Sequence, residues 1–160
     1  MLFRSVPPEA REGVAHRYLA RIGTGWPNGE REKAAAEVIE IFANERFAPI
    51  FAAGSRPEVT VMGKIKIGGT MRAISGKVDR LAVANDRVMI VDYKTNRPAP
   101  SRVDQVPRAY ITQLALYAEL IRPLYPGKKI TAALLFTETP IMIELGEREM
   151  EGALAGLTAA

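Results

Sequence analysis

The chain has 160 residues, 48% of them hydrophobic and 25% charged, and this length predicts one domain with one core. It contains no cysteine, which excludes disulfides, cysteine-bound zinc and iron–sulfur clusters, so a bound metal would need oxygen or nitrogen ligands, as Mg²⁺ and Mn²⁺ do. The net charge of +4 is concentrated in residues 64–108, where ten Lys and Arg stand against four Asp. Such a segment would attract a polyanion, although a solvated basic face explains the charge alone more simply.

No stretch of the sequence predicts a membrane segment. The apolar runs are all shorter than the ~20 residues that cross a bilayer. The first residues, MLFRSVPPEAREG, lack the apolar region of a signal peptide. We therefore expect a cytoplasmic protein with no membrane partner.

Residues 1–55 are predicted to be helical. A first helix is entered through Pro7-Pro8 and continues as EAREGVAHRYLARI, and Gly23 and Pro27 end it. A second helix is predicted over GEREKAAAEVIEIFANERFAPIF, which is rich in Ala and Glu and carries apolar residues at helical spacing.

Residues 57–160 are predicted to form the sheet core. Three strands follow one another: PEVTVMGKIKIGG, then Ala73 to Ala84, then Arg87 to Lys94. A proline-rich loop leads to a long helix over residues 107–122, followed by the strands KITAALLFTET and PIMIEL and a final helix, EREMEGALAGL. The order α-α-β-β-β-α-β-β-α predicts an α/β fold with a mixed central sheet flanked by helices.

The turn between the second and third strands is predicted at Asn85-Asp86, because both residue types tolerate left-handed conformations. A turn centred there places Asp79 directly opposite Asp92. Like charges in opposed positions destabilise a sheet. We therefore expect a positive group between the two carboxylates.

Lys94 supplies a candidate for that positive group. Strand alternation puts it on the same face as Asp92, about 6.6–6.8 Å further along. Two carboxylates beside a lysine could hold a divalent ion and position or deprotonate a water, as metal-assisted phosphodiester hydrolysis requires. The structural alternative is that Lys94 pairs with one Asp and Arg80 with the other. The same register puts Lys77 opposite Lys94, so either pairing ends before this point or both lysines face an anionic site.

These motifs resemble a known family. GKVDR, its spacing to IVDYKTNRP and the later YITQLALYAEL are similar to the RecB-type nucleases of the PD-(D/E)XK superfamily, most of all to the C-terminal nuclease domain of AddA-type helicase–nucleases. The resemblance runs from Gly13 to Leu145 and implies a restriction-endonuclease-like core in a single nuclease domain over residues 1–160. It also implies a Mg²⁺- or Mn²⁺-dependent DNA exonuclease of double-strand break repair and recombination, which receives single strands from an ATP-dependent helicase motor and its partner subunit.

The resemblance implies roles by position. Asp79, Asp92 and Lys94 would be catalytic, with both carboxylates and the Tyr93 carbonyl as metal ligands. His16, in the segment GVAHRYL, would be a further ligand from the first helix. On the residues alone, a single helical histidine is more simply an exposed or core residue.

Other positions match the family less specifically. Glu58 coincides with an acidic position of these nucleases and is a candidate accessory metal ligand, although an exposed glutamate at a strand end explains it almost as well. Arg80 and Thr95 are candidates for DNA binding or for support of the site.

The long helix carries a QxxxY motif, Gln113 and Tyr117. Their i, i+4 spacing puts both on one helix face, where they could contact DNA or the site. Tyr110 and Tyr117 could also stack on bases, although packing into the core is the commoner fate of helical tyrosines.

The sequence has no phosphate-binding loop of the form GxxxxGK[ST], so we expect no ATP site of that kind and assign ATP dependence to a partner. Two alternatives stay open. One is a catalytically silent domain of the same fold that binds DNA or a partner protein, which the complete set of Asp79, Asp92 and Lys94 argues against. The other is a stand-alone nuclease acting on RNA or structured DNA.

Overall fold

The structure, a computed structural model, describes residues 6–157. In this part of the chain, five α-helices flank one five-stranded sheet. In chain order the elements are α1 Pro8–Ile22, α2 Asn28–Ala43, α3 Ala48–Phe51, β1 Arg56–Ile67, β2 Thr70–Val83, β3 Arg87–Lys94, α4 Arg108–Ile121, β4 Lys129–Phe136, β5 Ile141–Leu145 and α5 Glu147–Ala155. The predicted order is confirmed except for one helix break. Residues 1–5 and 158–160 of the expected domain lie outside the described part.

The first helix begins and ends where the sequence predicts. Pro8 is its first residue, a position that suits proline because the missing N–H would have no helical partner there. At the other end the Gly23 N–H donates to the Leu19 carbonyl at 2.8 Å, and the chain leaves the helix. α1 packs mainly against α2. None of the helices in residues 6–157 is both long enough and apolar enough to cross a membrane.

The prediction of one continuous second helix is wrong, because this segment forms two helices. α2 ends at Ala43, and one 3₁₀ turn over Glu45–Phe47 separates it from α3. Asn44 has a ψ of 115°, outside the helical range, and its side-chain oxygen accepts a hydrogen bond from the Arg46 N–H at 3.0 Å. Because an asparagine side chain competes in this way with helical backbone bonding, the Ala- and Glu-rich segment stops here.

The sheet is mixed, as predicted, with strand order β1-β2-β3-β4-β5. The pairs β1–β2, β2–β3 and β4–β5 are antiparallel, and β3 and β4 are parallel. A parallel pair needs a crossover connection, and α4 supplies it. The sheet therefore brings the end of β3 close to the start of α4.

Apolar side chains cover both faces of the sheet. One cluster lies between the sheet and helices α4 and α5 and includes Ile90, Leu114 and Leu134. The second lies on the opposite face and includes Phe47 and Val91. Because β3 is covered on both faces, a charged side chain at its end is buried and needs a partner.

β1 and β2 form a long two-stranded ribbon. They are joined by Gly68 and Gly69, whose φ angles of 56° and 82° suit a tight two-residue turn and are freely adopted by glycine. β2 pairs with β3 only from Arg80 to Val83. Within the described chain, residues 70–78 therefore have β1 as their strand partner.

Candidate active site

The hairpin of β2 and β3 has the register predicted from the sequence. Arg80 pairs with Val91 and the ladder ends there, so Asp79 and Asp92 occupy the next opposed positions. In place of a ladder bond, the Asp79 carboxylate accepts a hydrogen bond from the Tyr93 N–H at 2.8 Å. The turn thus brings both carboxylates to the end of β3.

The alternation of β2 breaks at Asp79. Val78 and Leu81 are three residues apart, yet both belong to the apolar cluster under α4. Residues three apart on a regular strand face opposite sides, so the backbone departs from regular alternation between them. On β1, Glu58 has a φ of 50° and does not pair, although the register would place it opposite Asp79. Both irregularities mark a local distortion of the ribbon at Asp79, and the β1–β2 register is the same on either side of it, so no extra residue is inserted.

Asp92 and Lys94 form a buried ion pair. Asp92 is 5% exposed, and its Oδ2 lies 2.6 Å from Lys94 Nζ. Among residues 6–157 that oxygen has no hydrogen bond of good geometry, so the contact is mainly one between charges. Burial raises the pKa of the Asp92 carboxyl; the Lys94 ammonium opposes that rise, and the Asp79 carboxylate adds to it. The two carboxylates therefore lie close enough to repel each other.

The position of Lys94 is set by further contacts. Its ammonium lies 4.1 Å from the centroid of the Tyr110 ring, a cation–π distance. The Tyr110 hydroxyl donates to Asn96 Oδ1 at 3.3 Å, and the Lys94 carbonyl accepts from the Thr137 N–H at 2.9 Å. Because pairing between β2 and β3 has ended, Lys94 does not pair with Lys77. Of the two arrangements that the sequence left open, the structure therefore has the one in which pairing between β2 and β3 ends before Lys77 and Lys94.

Arg80 lies on the opposite side of the sheet from Lys94. Its guanidinium donates to the Tyr93 hydroxyl at 2.7 Å and to Ser55 Oγ at 3.0 Å, and it lies 4.8 Å from the Phe51 ring centroid. Burial raises the pKa of the Tyr93 hydroxyl, and the Arg80 charge opposes that rise. The alternative pairing of Arg80 with Asp79 is not observed. At 9% exposure Arg80 is placed to support β3, with little surface left for DNA.

Gln113 and Tyr117 pack α4 onto the ribbon. Gln113 Nε2 donates to the Tyr117 hydroxyl at 3.2 Å, and Tyr117 is 7% exposed. A Cβ at Gly76 would overlap the Tyr117 ring and hydroxyl, which explains glycine at this point of the GKVDR segment. The two residues therefore lie beside the β2 segment that leads to Asp79.

Three predicted site residues lie on the surface. His16 is exposed on α1, and Thr95 is exposed just after β3. Glu58 has a side chain 74% exposed, 3.6 Å from Lys77 Nζ. Within the described chain, no group of three His, Asp or Glu is assembled that could hold a metal ion. The structure brings together Asp79, Asp92 and Lys94, and it does not add His16 and Glu58 to them.

The two carboxylates fit a hard divalent ion. Mg²⁺ is commonly held by one or two carboxylates and keeps several waters, so Asp79 and Asp92 form an adequate protein set. Asp92 Oδ2 is buried without a hydrogen bond of good geometry in the described chain, so a metal could bind it by sharing it with the Lys94 ammonium 2.6 Å away. The oxygen-only donor set agrees with the absence of cysteine from the sequence.

Sequence reasoning missed Ser55 and Phe51, which hold Arg80. They lie 25 or more positions before Arg80, and no local pattern links them to it. Tyr110, considered for base stacking or for packing into the core, packs against the core and also contacts Lys94, which the sequence did not predict. Tyr110 lies three residues before Gln113 and therefore on the same face of α4. This spacing was the signal in the sequence that could have placed Tyr110 near the site.

The chain belongs to the PD-(D/E)XK nuclease superfamily, whose family model matches residues 3–155. Its mixed five-stranded sheet flanked by helices is the restriction-endonuclease-like fold of that superfamily, as expected.

This chain is also similar to individual proteins, in sequence or in structure. An ATP-dependent helicase/nuclease of Carboxydothermus hydrogenoformans is 33% identical over 132 residues, which cover 82% of this chain and 10% of that protein. The chain thus spans about a tenth of the length of this relative. The crystal structure of SSO0001 is similar over 95% of this chain and 68% of that one, with 17% identity and a TM-score of 0.44.

Proposed function

We propose that this chain is a Mg²⁺- or Mn²⁺-dependent DNA exonuclease that hydrolyses phosphodiester bonds at Asp79, Asp92 and Lys94. The observation that carries the proposal is the buried Asp92–Lys94 pair beside Asp79 in a member of a nuclease superfamily. A buried carboxylate beside a second, half-buried one costs stability even with an ammonium next to it, and a divalent ion has the charge to offset that cost.

In the proposed reaction a water attacks phosphorus and loses a proton, the bond from phosphorus to the leaving oxygen breaks, and the leaving oxygen gains a proton in its place. A divalent ion, when bound, would polarise the phosphate and acidify the water. The hydrogen bond from the Tyr93 N–H orients the Asp79 carboxylate, which would be a metal ligand. Lys94, between Asp92 and the Tyr110 ring, would orient the water or stabilise charge on the phosphate. The Tyr93 carbonyl is a further candidate ligand.

The helicase/nuclease relative supports a wider proposal. We place this chain as the nuclease domain, residues 1–160, of a helicase–nuclease system in double-strand break repair and recombination in the cytoplasm. An ATP-dependent motor and its partner subunit would deliver single strands to the site. The basic charge of residues 64–108 agrees with a DNA substrate.

A catalytically silent domain of the same fold is the second candidate. It is favoured by one observation: no third His, Asp or Glu joins the two carboxylates in the described part of the chain. Such a domain would bind DNA or a partner protein without cleaving the strand.

Cleavage of end-labelled single- and double-stranded DNA, with Mg²⁺ and with EDTA, separates the two candidates. We expect Mg²⁺-dependent cleavage by the wild type and a rate lower by about 10²–10⁴-fold in Lys94→Ala, the usual range for a group that transfers or directs a proton. Lys129→Ala removes an exposed lysine from the start of β4 and is the matched control.

Calorimetric metal titration gives a second readout for the same variants. Lys94 Nζ lies against Asp92 Oδ2 and repels an incoming cation, so Lys94→Ala should bind Mg²⁺ as tightly as the wild type or more tightly. Wild-type cleavage by Lys94→Ala would remove the catalytic assignment. A wild type that binds DNA but never cleaves it would establish the silent domain.

A further inference from the structure

The ribbon of β1 and β2 carries an unbalanced positive charge. Residues 59–78 contain Lys64, Lys66, Arg72 and Lys77 and no Asp or Glu, so this segment alone has a charge of +4. That equals the net charge of the whole chain. The basic character of the protein is therefore located in one structural element.

The lysines share one face of the ribbon. Opposed residues of an antiparallel pair project to the same side, and the pairs Lys64–Ala73 and Lys66–Met71 lie on the side opposite to Gly63 and Gly76, which face Leu120 and Tyr117 of α4. We call this side the lysine face; it consists of Thr60, Met62, Lys64, Lys66, Met71, Ala73, Ser75 and Lys77. All of these residues are exposed, Met62 at 74% and Met71 at 58%. The described chain leaves this face uncovered.

The charges on the lysine face are available to a ligand. Lys64 and Lys66 take part in no ion pair within residues 6–157, and Lys77 has one, with the highly exposed Glu58 at 3.6 Å. The opposite side of the ribbon is different, because Val61, Ile65 and Val78 are buried there. One side of the ribbon is thus used for folding, and the other is free for binding.

The lysine face starts at the proposed active site. Lys77 lies two residues before Asp79, and the ribbon extends from there to the Gly68-Gly69 turn. At ~3.4 Å per residue, residues 70–78 span about 30 Å. Because Lys94 lies on the α4 side of the sheet, a ligand on the lysine face would reach the site around the end of the β2–β3 ladder, where the two strands separate beside Asp79.

We propose that the lysine face docks duplex DNA next to the bond that is cut. B-DNA carries one charge per ~1.7 Å of helix axis, and a two-stranded ribbon is of a size that the major groove admits. The face has no aromatic residue on which unpaired bases could stack, which favours a duplex over a single strand. This inference rests on the proposed nuclease function and adds where the duplex lies from which the single strand in the site has been separated.

Edge protection is the competing explanation for these lysines. β1 is an edge strand, and lysine on an edge prevents pairing with another chain. In that case Lys64 and Lys66 would keep the protein monomeric and would not contribute to DNA binding. The two explanations predict different results for the same variant.

The test compares two double variants of the full chain in EDTA, where cleavage does not occur. One is Lys64→Gln with Lys66→Gln; the other is Arg46→Gln with Lys129→Gln, which removes the same charge from exposed positions off the ribbon. The dissociation constant for a labelled blunt duplex is measured from 50 to 300 mM KCl, and an oligo-dT strand of equal length is the second probe. Melting curves confirm that both variants are folded.

We expect the ribbon variant to bind the duplex about tenfold or more weakly at 0.1 M salt, with a salt slope shallower by about 2, because each phosphate contact contributes about 0.9 to that slope. The control should keep the wild-type slope. Equal losses in both variants, an unchanged ribbon variant, self-association of the ribbon variant with unchanged DNA binding, or an equal loss for oligo-dT would each overturn the proposal. Failure of the nuclease proposal would appear separately, as duplex binding without cleavage in Mg²⁺.

Discussion

At the scale of single residues, burial and charge act against each other at Asp92. Burial raises the pKa of this carboxyl, and Lys94 offsets only part of the rise. Between the ordinary value of 3.8 and the folded value, the folded protein holds a proton at Asp92 that the unfolded chain has released. In that window the free energy of unfolding falls as pH rises.

The pH dependence of stability tests this relation. We expect the wild type to lose stability relative to Asp92→Asn as pH rises from below 3.8 through the folded pKa of Asp92, because the variant lacks the titrating group. Urea unfolding of both proteins in EDTA from pH 3.5 to 7 measures the difference, in which the contributions of carboxylates far from Asp92 cancel. If the difference in the free energy of unfolding stayed constant with pH, or changed in the opposite direction, Asp92 would not be desolvated as its position indicates.

Asp79 gives a second residue-scale prediction. Its repulsion with Asp92 should cost the metal-free fold about 0.2–1 kcal/mol, by analogy with opposed like charges. Asp79→Asn can still accept the Tyr93 N–H bond, so it should melt at the same or a higher temperature than the wild type in EDTA. It should also lose most of the rise in melting temperature caused by Mg²⁺ and most of the nuclease activity.

A structural salt-bridge role for Asp79 would give the reverse melting pattern. Asp79→Asn would then be less stable than the wild type in EDTA, and Mg²⁺ would stabilise neither protein. Melting curves at several Mg²⁺ concentrations, with EDTA as the reference, distinguish the two patterns.

At the scale of secondary structure elements, the contact of α4 with β2 supports the strand that leads to the site. Tyr117 occupies the space above Gly76, and Gln113 holds the Tyr117 hydroxyl. The packing depends on the missing Cβ, because the tyrosine ring and hydroxyl would otherwise overlap it.

Gly76→Ala should therefore destabilise the fold by about 1–3 kcal/mol, the usual cost of overpacking. Gly152→Ala in α5 is the matched control: its Cβ would meet no atom within 4 Å, and alanine in a helix should stabilise by about 0.5–1 kcal/mol. Urea unfolding at neutral pH measures both. Equal stability of Gly76→Ala and the wild type would show that α4 can move away from β2 without cost.

At the scale of the whole molecule, the position of α1 decides whether His16 reaches the site. α1 packs mainly on α2, and His16 is exposed on it. The family resemblance assigns this histidine to the metal, whereas the described residues show no group of three ligands. A ligand role would require α1 to approach the end of β3 when metal binds.

Metal titration of His16→Ala measures that role. If the imidazole binds the ion, it must be neutral to do so, and wild-type Mn²⁺ affinity should fall as pH drops through the ordinary histidine range around 6.5. The variant should bind more weakly and show a flatter pH dependence. Identical affinity of the variant and the wild type at pH 7.5 would leave His16 as a surface residue.

The sequence by itself determined the order of the elements, the mixed sheet and the approach of Asp79 to Asp92. These features depend on short-range physics: alternation along strands, proline and glycine at helix ends, and a two-residue turn at Asn85-Asp86 that sets which residues face each other. Lys94 follows from the same register because it lies two residues after Asp92 on one strand. Such spacing is the same in any tertiary context.

The tertiary structure alone decided what surrounds the carboxylates. Arg80 turns to Ser55, a residue distant in sequence, and Tyr117 fills the space above Gly76, because those contacts form only when separate elements pack. The distortion at Asp79 likewise arises where β2, still paired with β1, also begins to pair with β3. Packing between elements depends on the shapes of both surfaces at once, and the pattern along one segment contains only one of them.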